Sequence, residues 1–287
     1  MPRIKVEWPT PLPSLSTWYI YLCEGFKRIG AQVEFKPELS KLFRESDQKG
    51  VLPFNILIDG IQNRIWYDTS DFKKDYYRNL MRDGDFYFKI QYHEGLRNLK
   101  NCYSIGQTAA SIDFPSICKK FRGFKDKKKY EYDIIHIGRV TAYDLRIKAT
   151  QLIKNQSWNS LAGVAGYKGR PVIPQSFSLS KLDYRDHLKK QCVSKICVAL
   201  PGVGGDWTWR HTEIWGLGCC MLTIKPDYLL PGEMQSCWIE LVEKVNYYLA
   251  HDDEREEIAQ NGLRFYNEYL SPKSQANYVL NIIRMNS

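Results

Sequence analysis

No stretch of the chain approaches the run of about 20 apolar residues that a membrane-spanning helix needs. The opening Met1-Pro2-Arg3-Ile4-Lys5-Val6-Glu7 also lacks the apolar core of a secretion signal. A cytoplasmic protein is the expectation. There is no CxxC pair among the eight cysteines, residues 23, 102, 118, 192, 197, 219, 220 and 237, and no second pair or histidine cluster beside Cys192 and Cys197. That excludes a zinc ribbon and reads as small core residues in a reducing compartment. A convincing Asp-x-Asp beside a strand end is missing as well, and Asp252-Asp253 reads as the N-cap of a helix, so no metal site is expected. Repeats and low-complexity tracts are absent, which excludes a solenoid.

What is present is a packed composition, 44% hydrophobic and 25% charged, over 287 residues. That length supports two compact domains with their own cores. The formal charge of +9 implies affinity for an anion without naming it: a nucleotide diphosphate, an acidic glycan, lipid headgroups and nucleic acid all gain from the same field. Seven basic residues gather between Lys119 and Lys129 (119, 120, 122, 125, 127, 128 and 129) with almost no aliphatic ones. This composition shift reads as a solvated linker dividing a domain over residues 1–125 from one over 126–287, with peripheral contact to an anionic membrane as a second use. Nucleic acid is disfavoured, because the basic residues cluster in one linker without an interleaved aromatic strand motif.

Hydrophobic periodicity gives an α/β chain. A strand over 4–8, a helix capped by Ser14 or Ser16 and ended by Gly30, and a strand at 33–35 make the strand–helix–strand opening of a doubly wound domain. Further strands are expected at 54–58, 85–90 and 102–105. A second α/β domain starts with the apolar strand 132–138 and a helix to Lys154, followed by strands at 161–166, 195–200 and 219–224. Helices are expected at 184–190, 239–249, 253–269 and 273–284.

The most informative segment is 196–218: a buried-type strand, the glycine-rich Gly202-Val203-Gly204-Gly205-Asp206, then a short helix. That order aims backbone N–H groups and a helix N-terminus at the carboxyl end of a parallel strand, where phosphate is stabilised. Arg210 and Glu213, three apart, share one helix face. A guanidinium suits a diphosphate, and an acceptor-only carboxylate suits the two adjacent hydroxyls of a ribose. The plain alternative is an intrahelical ion pair on a solvent face; the glycines and Trp207, Trp209 and Trp215 argue against it.

The segment resembles the nucleotide-binding region of GT-B glycosyltransferases, the exostosin-like branch in particular, whose pattern is a glycine, Ser-x-Arg-x-x-Glu, then Gly-Cys and an apolar strand. Here Gly205, Thr208-Trp209-Arg210-His211-Thr212-Glu213, Gly218-Cys219 and Met221-Leu222-Thr223-Ile224 correspond, with the family's serine absent and Thr208 in its place. Ile137-Gly138-Arg139 with Arg146, Leu230-Pro231-Gly232 and Glu256-Glu257-Ile258-Ala259 extend the likeness over residues 130–280. In the first domain it rests on Asn55-Ile56-Leu57-Ile58-Asp59 and Asp85-Phe86-Tyr87-Phe88-Lys89.

The resemblance implies two Rossmann-like domains facing across a cleft, and transfer of a hexosyl or pentosyl group from a UDP- or GDP-type sugar donor to a glycan or other hydroxyl acceptor. No cofactor or metal is implied. Gly138, Arg139, Arg146, Gly204, Gly205, Asp206, Arg210 and Glu213 would line the donor, with Arg210 stabilising the departing diphosphate. An inverting reaction needs a general base in the first domain. Asp59 and His93, then Glu94 and Asp113, are the candidates, lying at or after expected strands. A sugar-nucleotide epimerase of the same fold and a non-catalytic glycan- or nucleic-acid-binding protein stay open as alternatives.

Overall fold

The computed structural model describes residues 3–9, 17–39, 50–70, 81–125, 130–139, 145–166, 173–180, 182–202, 205, 207–224 and 241–286. Its contacts divide the chain into two compact units. One takes residues up to Ile112 together with Glu268–Ser287, and the other Asp113–Pro226 with Gln235–Asn267. Each is α/β and Rossmann-like.

In the first unit β1 (Ile4–Trp8) pairs in parallel with β2 (Gln32–Phe35) through α1 (Thr17–Arg28), whose Leu22, Cys23 and Phe26 are buried. β3 (Val51–Ile58) and β4 (Ile61–Asp68) form an antiparallel hairpin, and β5 (Phe86–Lys89) and β6 (Cys102–Ser104) continue parallel to β4. The sheet order is β2-β1-β3-β4-β5-β6, with β3 the one strand that runs against the others. Sequence periodicity does not anticipate β4. The hairpin turns on Asp59-Gly60, with φ of 51° and 89°, as a two-residue type I′ turn requires. One face carries the core, where Val6, Trp8, Phe54, Tyr67 and Phe88 meet Phe26 of α1 and Val279 and Ile283 of the last helix, α8 (Pro272–Asn286). Gly25 lets α1 and α8 meet: a Cβ there would stand 2.0 Å from the Pro272 carbonyl oxygen.

In the second unit α2 (Phe114–Lys125) precedes β7 (Tyr132–Arg139), α3 (Leu145–Lys154), β8 (Ser160–Ala165), α4 (Tyr184–Cys192), β9 (Ser194–Ala199), α5 (Trp209–Gly216), β10 (Cys220–Thr223), α6 (Leu241–Ala250) and α7 (Asp252–Phe265). All four strands are parallel, in the order β10-β9-β7-β8, and they are mostly apolar because helices cover both faces. Ile134, Ile196 and Val198 pack with Ala149, Ile153, Leu241 and Val245 on one side. α5 is closed by a Schellman motif: Cys219 N–H bonds the Ile214 carbonyl at 3.0 Å and Gly218 N–H that of Trp215 at 2.9 Å, with Gly218 at φ 68°.

The lysine-rich run is not where the units part. Lys119, Lys120 and Arg122 sit on α2, whose Phe114, Ile117 and Cys118 are buried at helical spacing. Phe114 packs edge-on to Tyr266 and fills the space above Gly216, so α2 belongs to the second unit and the division falls at Asp113. Lys127, Lys128 and Lys129 lie outside the described residues. Asp252 and Asp253 occupy the first turn of α7, with His251 at the cap. No helix among the described residues is long and apolar enough to cross a membrane.

Candidate functional site

The chain leaves β7 toward β8 and then returns past it to β9, so the strand order reverses between β7 and β9. The carboxyl ends of those two strands are the switch point at which open α/β sheets bind ligands. Arg146, in the first turn of α3, stitches them together. Its guanidinium donates to the carbonyls of Arg139 (2.9 Å), Leu200 (3.4 Å) and Pro201 (2.7 Å). Gly138 is small for this reason, since a Cβ would stand 3.1 Å from Arg146 Cδ. Burial, with Arg210 adding to it, lowers the Arg146 pKa to about 10, so it stays cationic. The structure thus commits Gly138 and Arg146 to the shape of the switch point, not to direct exposure toward a ligand.

Beyond β9 the loop is held by a bond from Gly202 N–H to the Gly205 carbonyl at 2.8 Å. Gly204 and Asp206 lie outside the described residues. Thr208 is the N-cap of α5. Its backbone N–H donates to His211 Nδ1 at 3.1 Å, so Nδ1 is unprotonated and Nε2–H donates to Thr223 Oγ1 at 2.9 Å. That neutral imidazole pins the start of α5 to the end of β10.

Arg210 follows, and it stands apart from Arg146. It forms no hydrogen bond or ion pair among the described residues, and its Nε is buried without a partner. Burial lowers its pKa, the Glu213 carboxylate opposes that, and Arg139, on the exposed end of β7, lowers it further. Glu213 is 3% exposed and accepts a bond from Tyr184 on α4 at 2.9 Å. His136, His187 and His211 are each held neutral, their pKa pushed to about 3 chiefly by burial, with repulsion from Arg210 adding to it in all three. The switch point therefore gathers Arg139, Arg146 and Arg210 with Glu213 the buried carboxylate beside them, a field suited to an anion.

In the first unit Asp59 takes a turn role. Its carboxylate accepts Arg3 N–H at 2.9 Å and its own N–H returns to the Arg3 carbonyl at 3.1 Å. Because Ile58 pairs with Ile4, Asp59 lies beside the amino end of β1, the edge opposite the carboxyl ends of the parallel strands. His93 lies on the carboxyl side, four residues beyond β5 and at the cap of a short 3₁₀ turn, Glu94–Leu96. The geometry does not bring Asp59 and His93 together. Glu94 forms an exposed ion pair with Arg97 at 3.0 Å, and the Asp113 carbonyl starts α2 by accepting from Ser116 and Ile117.

Sequence reasoning passes over two groups. Tyr184 is one, a helix-start residue without a motif. The other is a buried cluster at the carboxyl ends of β4 and β5: Lys89 Nζ lies 2.7 Å from Asp68 Oδ2 and 2.9 Å from Ser70 Oγ, Tyr87 donates to the same Asp68 oxygen, and Ser70 N–H bonds Oδ1 at 2.7 Å. Asp68 was hidden because β4 itself was not anticipated.

Residues 158–281 match the family model described as glycosyl transferase-like. No curated protein matches the chain. The match takes in α4, α5, Arg210 and Glu213, on a parallel sheet that presents them at its switch point, and over those residues the chain is similar to the C-terminal domain of GT-B glycosyltransferases.

Proposed function

We propose that the chain transfers a sugar from a nucleoside diphosphate sugar of the UDP or GDP type to a glycan or other hydroxyl acceptor, without a metal ion. The observation that carries this reading is the Arg210 guanidinium, uncommitted among the described residues at the β7–β9 switch point, with Arg139 beside it and Glu213 one turn on. Arg210 and Arg139 would take the diphosphate and its charge as it departs, and Glu213 the ribose hydroxyls. Two guanidinium groups supply the positive charge that a metal would otherwise bring.

The loop around Gly204, Gly205 and Asp206 would add backbone donors to the phosphates. A cytoplasmic place of work fits the described cysteines, all of which are free thiols. Exposed Lys119 and Lys120 on α2 suit peripheral contact with an anionic membrane surface.

Calorimetric titration with UDP and GDP tests the site. Arg210→Ala and Glu213→Ala should each weaken binding, with circular dichroism at the titration temperature showing that each variant is folded; unchanged binding in both sinks the assignment. Release of nucleoside diphosphate only when an acceptor is supplied separates a transferase from an epimerase.

A further inference from the structure

Resting on the reading that Glu213 receives the donor ribose, we infer that Tyr184 is a positioning residue that holds the Glu213 carboxylate in place for the ribose diol. The phenol donates to Glu213 Oε1 at 2.9 Å across the α4–α5 boundary. Tyr184 opens α4, and that first turn is fixed in its own right: Asp183 caps the helix, its carboxylate accepting the N–H groups of Arg185 and Asp186 at 3.2 Å each. Burial, then the charge of Glu213, raises the phenol pKa, so the hydroxyl keeps its proton and remains a donor throughout the physiological range.

A carboxylate accepts up to about four hydrogen bonds, so one from Tyr184 is compatible with two from a vicinal diol. Without that bond Oε1 is held less tightly, and affinity falls by the cost of fixing it when a ribose binds. The anchor acts on the ribose end of a ligand. Arg210, on the preceding turn of α5, makes no bond to Tyr184. Tyr184 therefore contributes to recognition of nucleoside diphosphates and not of diphosphate as such.

The test is Tyr184→Phe in the full chain, titrated calorimetrically with UDP, GDP and inorganic pyrophosphate. The nucleotide that the parent chain binds should lose roughly three- to ten-fold in affinity, while pyrophosphate affinity stays the same. In a Glu213→Ala background the same substitution should cost nothing more. Equal nucleotide affinity in Tyr184→Phe overturns the inference, and so does a parallel loss for pyrophosphate, which marks a general structural effect. A parent chain that binds neither nucleotide overturns the donor reading itself and this inference with it.

Discussion

Arg146 Nη2 donates to the Pro201 carbonyl across 2.7 Å, and the same guanidinium bonds the carbonyls of Arg139 and Leu200. One side chain thus satisfies backbone acceptors at the ends of two neighbouring strands, beyond the last rung that joins them at Ile135 and Cys197. Substituting Arg146 by Met keeps much of its bulk and leaves those acceptors without a donor. Hydrogen bonds to charged groups and stranded buried carbonyls together put the loss at about 2–4 kcal/mol, read as a lower urea midpoint. Arg146→Lys should recover only part of it, because an ammonium cannot reproduce the planar fork. Full stability in Arg146→Met would contradict the stapling role.

The neutral histidines give the second unit a signature in acid. In the folded chain His136 and His211 have pKa values near 3, against an ordinary value of 6.5. Between those limits the unfolded chain binds the protons that the folded chain refuses. Stability is therefore complete above pH 6.5 and declines as pH falls toward 3, by up to about 2 kcal/mol per buried histidine at pH 5. His136 is fully buried, and Arg210 and Arg146 repel any proton it takes. His136→Leu should cost little at pH 7.5 and should flatten the decline at lower pH, as followed by urea denaturation at both pH values. An unchanged acid slope would mean that His136 does not carry it.

The Lys89–Asp68 pair is wholly buried in the first unit. Removing one partner leaves an uncompensated charge, so Lys89→Met should lose about 3–5 kcal/mol, whereas the double change Lys89→Met with Asp68→Leu should recover a large share of it. Recovery would be incomplete, since Tyr87 and the Ser70 N–H also depend on Asp68. Thermal melts of both variants read the difference directly. A double variant no better than the single one would show that Asp68 matters through those two bonds and not through its charge.

How much of this was legible in the sequence depended on whether a residue's role was local. The run from β9 through α5 announces itself, because a buried strand, glycines and a helix face bearing Arg210 and Glu213 are all neighbours in the chain. The all-parallel strands were visible as apolar runs for the same reason. Arg146 and Tyr184 were not legible as what they are: their partners lie 55 and 29 residues away, and nothing around either residue encodes the fold that joins them. α2 reads as linker because its lysines dominate the composition, while Phe114, Ile117 and Cys118 mark its buried face. β4 was missed although Asp59-Gly60 between two β-rich runs is the strongest short-range hairpin signal.

That turn position argues against a role for Asp59 as a general base. Its φ of 51° is a left-handed conformation that Asp and Asn tolerate and that other side chains adopt at a cost of about 1–2 kcal/mol. Asn in its place keeps both the turn and an oxygen for the Arg3 N–H, and removes the ability to take a proton. Asp59→Asn should therefore retain transfer activity and melting temperature, while Asp59→Ala should lose about 1 kcal/mol of stability and still retain activity at a temperature where it is folded. His93, at the carboxyl end of the same sheet, is the contrasting control: His93→Gln should lower turnover if a base from this unit serves an inverting reaction. Loss of activity in Asp59→Asn with its fold intact would restore Asp59 as a catalytic group and contradict the placement of the hairpin turn at the amino edge of the sheet.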